Sequence, residues 1–189
     1  MNIKNYKISF IILLYLFSFA GHAADISAGK SRAVACQACH GADGNSTIPL
    51  HPSLAGQTSA YLETQLQHFK SGARINPTMQ AQAAVLSDAD IQNLAAYYAG
   101  LPAKSSGGEV NLAKQGQGKA TMCMGCHGEK LSGRGQFPSL AGQQAAYLSK
   151  QLHDFKSGNR KAGAMNAFAQ SLSDEDISTL SAYLANLNH

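Results

Sequence analysis

The sequence predicts an all-α protein made of one helical unit written twice in tandem, on three observations. The chain matches itself at an offset of 86 residues: Pro52-Ser53-Leu54-Ala55-Gly56-Gln57 returns as Pro138-Ser139-Leu140-Ala141-Gly142-Gln143, and Phe69-Lys70-Ser71-Gly72 as Phe155-Lys156-Ser157-Gly158. A fixed period of this kind marks a structural unit used more than once. Apolar residues recur at helical spacing in both copies, and no run of strand type appears. A five-residue pattern, C-x-x-C-H, occurs at Cys36–His40 and again at Cys123–His127.

Residues 1–24 have the make-up of an export signal. Lys4 and Lys7 give a positive start, Ile8 to Ala20 an apolar run, and Gly21, Ala23 and Ala24 a small-residue cleavage site. The run falls short of the roughly 20 residues that cross a bilayer as a helix; an uncleaved anchor is the alternative. The chain from Asp25 onward is about 165 residues, enough for one domain or two small ones. The repeat favours two, over 25–100 and 109–189, joined by a Gly/Pro/Ser-rich linker over 101–108.

Each unit should hold three helices around loops. The first is short and runs into the cysteine pattern, from about Ile26 to Ala35 and from Leu112 to Met122. The second puts Leu62, Leu66 and Phe69 on one face, and Leu148, Leu152 and Phe155 repeat the stripe. Gly72 and Gly158 then stand where a left-handed C-cap is wanted. The third opens with Ser87 and Asp90, and again with Ser173 and Asp176, at capping-box spacing. Its apolar face is Ile91, Leu94 and Tyr98 or Leu101 in the first copy, and Ile177, Leu180, Leu184 and Leu187 in the second. A unit of about 80 residues has a small core of its own. A buried prosthetic group would supply the missing apolar centre, so the chain without one should fold poorly.

C-x-x-C-H is the attachment pattern of a covalent c-type haem. Two thiols three residues apart add to the vinyl groups on one edge of the ring, and the next residue, His, swings beneath it to ligate iron. Cys36 and Cys39 with His40, and Cys123 and Cys126 with His127, use every cysteine of the chain. A zinc site would bring its two pairs within roughly 15–20 residues, whereas more than 80 separate these. A thioredoxin-like pair has no need of the His. Two covalently bound haem c groups are expected. Such attachment is completed outside the bacterial cytoplasm, so motif and export signal agree on a periplasmic address.

An iron held by His alone keeps an open side where chemistry can occur. Of five methionines, Met1 goes with the signal, and Met122 and Met124 flank Cys123 on the attachment side. Met79 and Met165 remain, again 86 apart, each between the second and third helices; ordinary packing methionines are the alternative. His51, His68, His153 and His189 are not duplicated and read as surface or packing residues. His/Met ligation raises the reduction potential. It also fills both axial positions with protein, which suits single-electron transfer and not peroxide or oxygen activation. A ligating His usually donates its other N–H to a carbonyl or carboxylate. The carbonyls of Pro52, 12 residues after His40, and Pro138, 11 after His127, are the candidates; simple turn prolines are the alternative.

Formal charge falls from +4 to +2 once Lys4 and Lys7 are removed. Ionised propionates on two haems would bring the holoprotein near neutral, so strong nucleic-acid binding is not indicated. Residues 25–100 carry −1, with four Lys/Arg against five Asp/Glu, and residues 101–189 carry +3, with nine against six. Such a difference can orient a protein toward a partner, or can be a solvated surface and nothing more.

Each half resembles a class I cytochrome c, with C-x-x-C-H, then P-x-L, then a methionine before a C-terminal helix bearing Tyr97 or Tyr183. The tandem order, with C-H-G-A-D-G-N-S in the first copy and P-S-L-A-G-Q in both, is similar to the periplasmic dihaem cytochrome c4 family over essentially the whole chain beyond the signal. The resemblance implies two class I domains about a pseudo-twofold axis, with haem propionate edges facing each other. It implies a close crossing of the first and third helices at Gly29 and Gly116. It also implies a carrier, freely diffusing or peripherally associated with the membrane. Such a carrier takes electrons from a quinol-oxidising complex or a dehydrogenase and passes them to a terminal oxidase. The haem-bearing subunit of flavocytochrome c sulfide dehydrogenase has a similar tandem fold. An electron-accepting subunit of a dehydrogenase is therefore the runner-up, and a dihaem peroxidase the third reading. Asn76-Pro77-Thr78 precedes Met79, whereas Ala162-Gly163-Ala164 precedes Met165. Without the proline the second loop should be more mobile and Met165 more easily displaced.

Overall fold

A computed structural model describes residues 23–188, so all but the last two residues of the expected export signal lie outside the described residues, as does His189. The first half folds as α1 (Ile26–Ala33), α2 (Gln37–His40), α3 (Ser59–Ser71), α4 (Pro77–Ala84) and α5 (Asp88–Ala99). The second repeats it as α6 (Val110–Ala120), α7 (Met124–His127), α8 (Ala145–Ser157), α9 (Ala164–Gln170) and α10 (Asp174–Ala185). Among the described residues there is no strand, only an isolated bridge between Arg134 and Phe137.

The ends of these helices are set by local chemistry. The Asp25 carboxylate accepts the N–H groups of Ser27 and Ala28 to start α1, and Glu109 does the same for Asn111 and Leu112 in α6. Gly72 and Gly158 both close their helices at φ 79°, a left-handed conformation that glycine adopts without strain. Ser87 and Asp90 form a full capping box on α5, as do Ser173 and Asp176 on α10. These satisfy N–H groups that a helix start otherwise leaves without partners.

The methionine-bearing segments differ from expectation. Read as loops between the second and third helices, they are themselves the short helices α4 and α9. In α4, Pro77 occupies the first turn, where its missing N–H costs nothing, and Asn76 accepts the Met79 N–H at 3.0 Å. The segment is rich in Ala and Gln, so no apolar stripe announced it.

Each half packs its N-terminal helix across its last. A Cβ added at Gly29 would lie 2.2 Å from the Asn93 carbonyl oxygen, and one at Gly116 2.2 Å from that of Thr179. The helices therefore cross at a separation that only glycine permits. Ala33, Leu62, Leu86, Ile91, Leu94 and Tyr98 form the first core, with Cys36 packed against it. The second core is built around Leu131, Leu148, Ile177, Leu180 and Leu184, with Cys123 against it.

The halves meet through reciprocal contacts. Arg74 donates across to Tyr147 Oη at 3.0 Å and Gln151 Oε1 at 2.7 Å. Arg160 donates back to Tyr61 Oη at 2.9 Å and Gln65 Oε1 at 2.9 Å. Each guanidinium also lies over a phenylalanine of its own half, Phe69 at 4.7 Å and Phe155 at 4.6 Å. Matched contacts of this kind are the mark of a twofold relation. The segment between the halves lies on both of them. The Lys104 N–H donates to Asn45 Oδ1 at 2.9 Å, and the Ser106 N–H to the Gly142 carbonyl at 3.0 Å.

Candidate haem-attachment sites

In each half the N-terminal helix tightens into a 3₁₀ turn, Val34–Cys36 or Thr121–Cys123, and then runs one α-turn to the histidine. Gly41 at φ 84° and Gly128 at φ 87° end that turn and lead the chain away. At Gly41 a Cβ would also strike the Asn45 carbonyl oxygen at 2.2 Å. No disulfide joins any of the four cysteines. Burial pushes the Cys36 and Cys123 thiols above their ordinary pKa.

His40 and His127 are buried, at 8% and 5% exposure. His40 Nδ1 lies 2.8 Å from the Pro52 carbonyl oxygen, and His127 Nδ1 lies 2.8 Å from that of Pro138. A carbonyl can only accept, so each Nδ1 carries the proton and each Nε2 keeps its lone pair for a metal. Burial lowers both histidine pKa values and keeps the rings neutral. A second ring stands beside each: His51 is 6.2 Å from His40 between centroids, and Phe137 is 6.2 Å from His127. His51 thus takes a packing position that an aromatic ring fills in the other half.

Met79 is the third residue of α4 and Met165 the second of α9, both half-buried. Helix α4 packs on α3, and α9 on α8. Met124 packs into the second core, while Met122 is 61% exposed. Each half thus carries the same donor types: a pair of cysteines, an imidazole whose Nδ1 is committed to a carbonyl, and a thioether on a separate helix. That set fits a covalent haem c. Among the described residues no group of three or more His, Cys, Asp or Glu is clustered as around a metal ion.

Sequence reading missed the glutamines and arginines at the junction. Gln57 and Gln143, and Arg74 and Arg160, each recur at the 86-residue offset. Repetition was the available signal, but it does not say what a residue touches.

Fold and site together define a tandem class I c-type cytochrome, an electron-transfer protein with two covalent haem c groups. Family models match in each half: cytochrome c over residues 113–188, and subunit III of the cbb3-type cytochrome c oxidase over residues 25–97. Cytochrome c4 of Pseudomonas aeruginosa is 38% identical over 196 residues, which covers 96% of this chain and 98% of that one. The crystal structure of reduced recombinant cytochrome c4 from Pseudomonas stutzeri matches with a TM-score of 0.83 at 37% identity, covering 88% of this chain and 100% of that one. A thiosulfate dehydrogenase electron acceptor of Stutzerimonas stutzeri is 37% identical over 172 residues, covering 82% of this chain and 80% of that protein. The chain belongs to the cytochrome c4 family.

Proposed function

We propose that this chain is a periplasmic carrier of single electrons, exported by residues 1–24 and taking electrons from a quinol-oxidising complex or a dehydrogenase. It passes them to a terminal oxidase. Domains 25–100 and 109–189 each hold one haem, with 101–108 between them. Cys36 and Cys39 bind the first and Cys123 and Cys126 the second. His40 with Met79, and His127 with Met165, ligate the irons. Each haem, when bound, supplies a one-electron centre whose potential the axial ligands set. The chain's part is to fix the imidazole tautomer through the Pro52 and Pro138 carbonyls, to keep the rings neutral by burial, and to close both axial positions. The observation that carries this is the paired geometry at His40 and His127, each with Nδ1 committed to a carbonyl at 2.8 Å, which makes Nε2 the nitrogen able to bind a metal.

Haem quantitation with a ferric optical spectrum tests the reading. Two haems per chain, each with a sulfur-to-iron charge-transfer band, are expected. The reduced protein should ignore carbon monoxide, while Met79→Ala or Met165→Ala opens one site to it. Stoichiometric uptake by the unsubstituted protein would overturn the closed-site reading.

The second reading is an electron-accepting subunit held by a dehydrogenase. It is favoured by the 37% identity to a thiosulfate dehydrogenase electron acceptor over 82% of this chain. Co-purification with a larger catalytic subunit from the native host would support it. Recovery as a free protein supports the carrier.

A further inference from the structure

The contact between the halves reaches the residues that hold the histidines. The Ser53 N–H donates to Gln143 Oε1 at 2.8 Å, and Gln143 Nε2 donates to the Ser53 carbonyl at 2.9 Å. The mirror contact joins the Ser139 N–H to Gln57 Oε1 at 2.7 Å, and Gln57 Nε2 to the Ser139 carbonyl at 3.1 Å. Both amides are 6% exposed. Each Oε1 also accepts the next backbone N–H, from Thr58 at 3.0 Å or Gln144 at 3.0 Å. With oxygen facing donors and nitrogen facing a carbonyl, neither amide can flip without losing its bonds.

The peptide group that Gln143 engages through the Ser53 N–H is the one whose C=O accepts the His40 proton. Pro52 supplies the carbonyl and Ser53 the N–H of a single planar amide. A donor pulled at one end of an amide makes the other end a better acceptor, because hydrogen bonds in a chain polarise one another. A stronger acceptor at Nδ1 makes the imidazole a more basic ligand. In the other half the sequence His127, Pro138–Ser139 peptide, Gln57 repeats the arrangement.

We infer that Gln57 and Gln143 are positioning residues that act across the interface: each orients and polarises the peptide holding the ligating histidine of the opposite half, and so tunes that half's reduction potential. Gln143 belongs to the second half and acts on the first; Gln57 does the reverse. A more basic histidine favours ferric iron, so loss of the glutamine raises the potential of the haem in the other half. The inference rests on His40 and His127 being the iron ligands.

The test is the Gln143→Leu and Gln57→Leu holoproteins, with both midpoint potentials measured by potentiometric titration. Each haem is assigned to its half by paramagnetic NMR against Met79 and Met165 variants. Gln143→Leu should raise the potential of the haem on Cys36 and Cys39 and leave the other in place; Gln57→Leu should do the mirror image. Gln143→Met, closer in shape, replaces leucine should that variant not fold. In Gln143→Glu the carboxylate takes the Ser53 N–H more strongly, and the same potential should move the opposite way. Shifts confined to the substituted half, equal shifts in both, or none in either overturn the inference. Failure of the ligand reading is distinguishable, because the unsubstituted protein would then lack two His/Met spectra before any glutamine is changed.

Discussion

A Cβ at Gly29 or Gly116 would meet a backbone carbonyl oxygen at 2.2 Å, and backbone cannot swing aside as a side chain can. Gly29→Ala and Gly116→Ala should therefore each destabilise the holoprotein by about 1–3 kcal/mol, the usual cost of overpacking, read from denaturant midpoints. Gly118, in the same helix as Gly116, has nothing within 4 Å of its Cβ position. Gly118→Ala should accordingly stabilise by roughly 0.5–1 kcal/mol through helix propensity. Opposite signs two residues apart separate crowding from propensity. Asp43 offers a pH test. Its hydrogen bond from Lys104, with a further one from the Asn45 N–H, takes its carboxyl from the ordinary 3.8 to about 2. A lowered native pKa gives stability that is present above the unfolded value and lost as pH falls through the folded one. The unfolding midpoint should thus decline between about pH 4 and pH 2, and Asp43→Asn should flatten that slope. An unchanged slope in the variant would show that the Lys104 contact is not formed in solution.

Helix α4 starts on Asn76 and Pro77, whereas α9 starts on Gly163 at φ 44° with no side-chain cap. The methionine on α9 thus sits on a start without proline or side-chain N-cap, tied instead by Asn166, which accepts the Ala162 N–H at 2.7 Å and donates to the Phe155 and Arg160 carbonyls at 2.7 Å. An alkaline titration followed through the sulfur-to-iron band should release Met165 before Met79; the reverse order would refute this. Asn76→Ala removes the acceptor for the Met79 N–H and should cost about 1 kcal/mol, lowering the pH at which Met79 leaves. Legibility differs between elements for the same reason. Helices α3, α5, α8 and α10 bury a stripe and carry Gly or Ser/Asp end signals, so period and punctuation announced them. Helices α4 and α9 have eight and seven residues and little apolar face. Their identity comes from a cap and from the helix they rest on, neither of which leaves a period to read.

Across the whole molecule, Arg74 and Arg160 share the same two acceptors. Gln65 Oε1 takes a donor from each, at 2.8 and 2.9 Å, and Gln151 Oε1 likewise at 2.7 and 2.7 Å. Removing both guanidiniums cuts the donors that join α3 to α8. Arg74→Gln with Arg160→Gln should turn a single thermal unfolding transition into two, one per half, by calorimetry. A single transition in the double variant would mean the remaining contacts suffice to couple the halves. Each half has only a modest cluster of buried apolar residues, and the first cysteine of its C-x-x-C-H pattern packs against that cluster. Chain produced without haem maturation should accordingly lack the helical circular dichroism of the holoprotein.

Residue order by itself determined the all-α class, the duplication and the candidate residues for holding the haems. These depend on spacing along the chain: two residues between the thiols, the histidine directly after the second, and 86 or 87 positions between copies. It also offered Pro52 and Pro138 as acceptor candidates, since a ligating histidine usually donates its other N–H to a carbonyl, and the structure places those carbonyls 2.8 Å from Nδ1. Only the tertiary structure decided that the peptides after those prolines are gripped from the opposite half by Gln143 and Gln57. A hydrogen bond between residues 82 or 90 positions apart leaves no trace in local pattern. Its partners are chosen by how two folded surfaces meet.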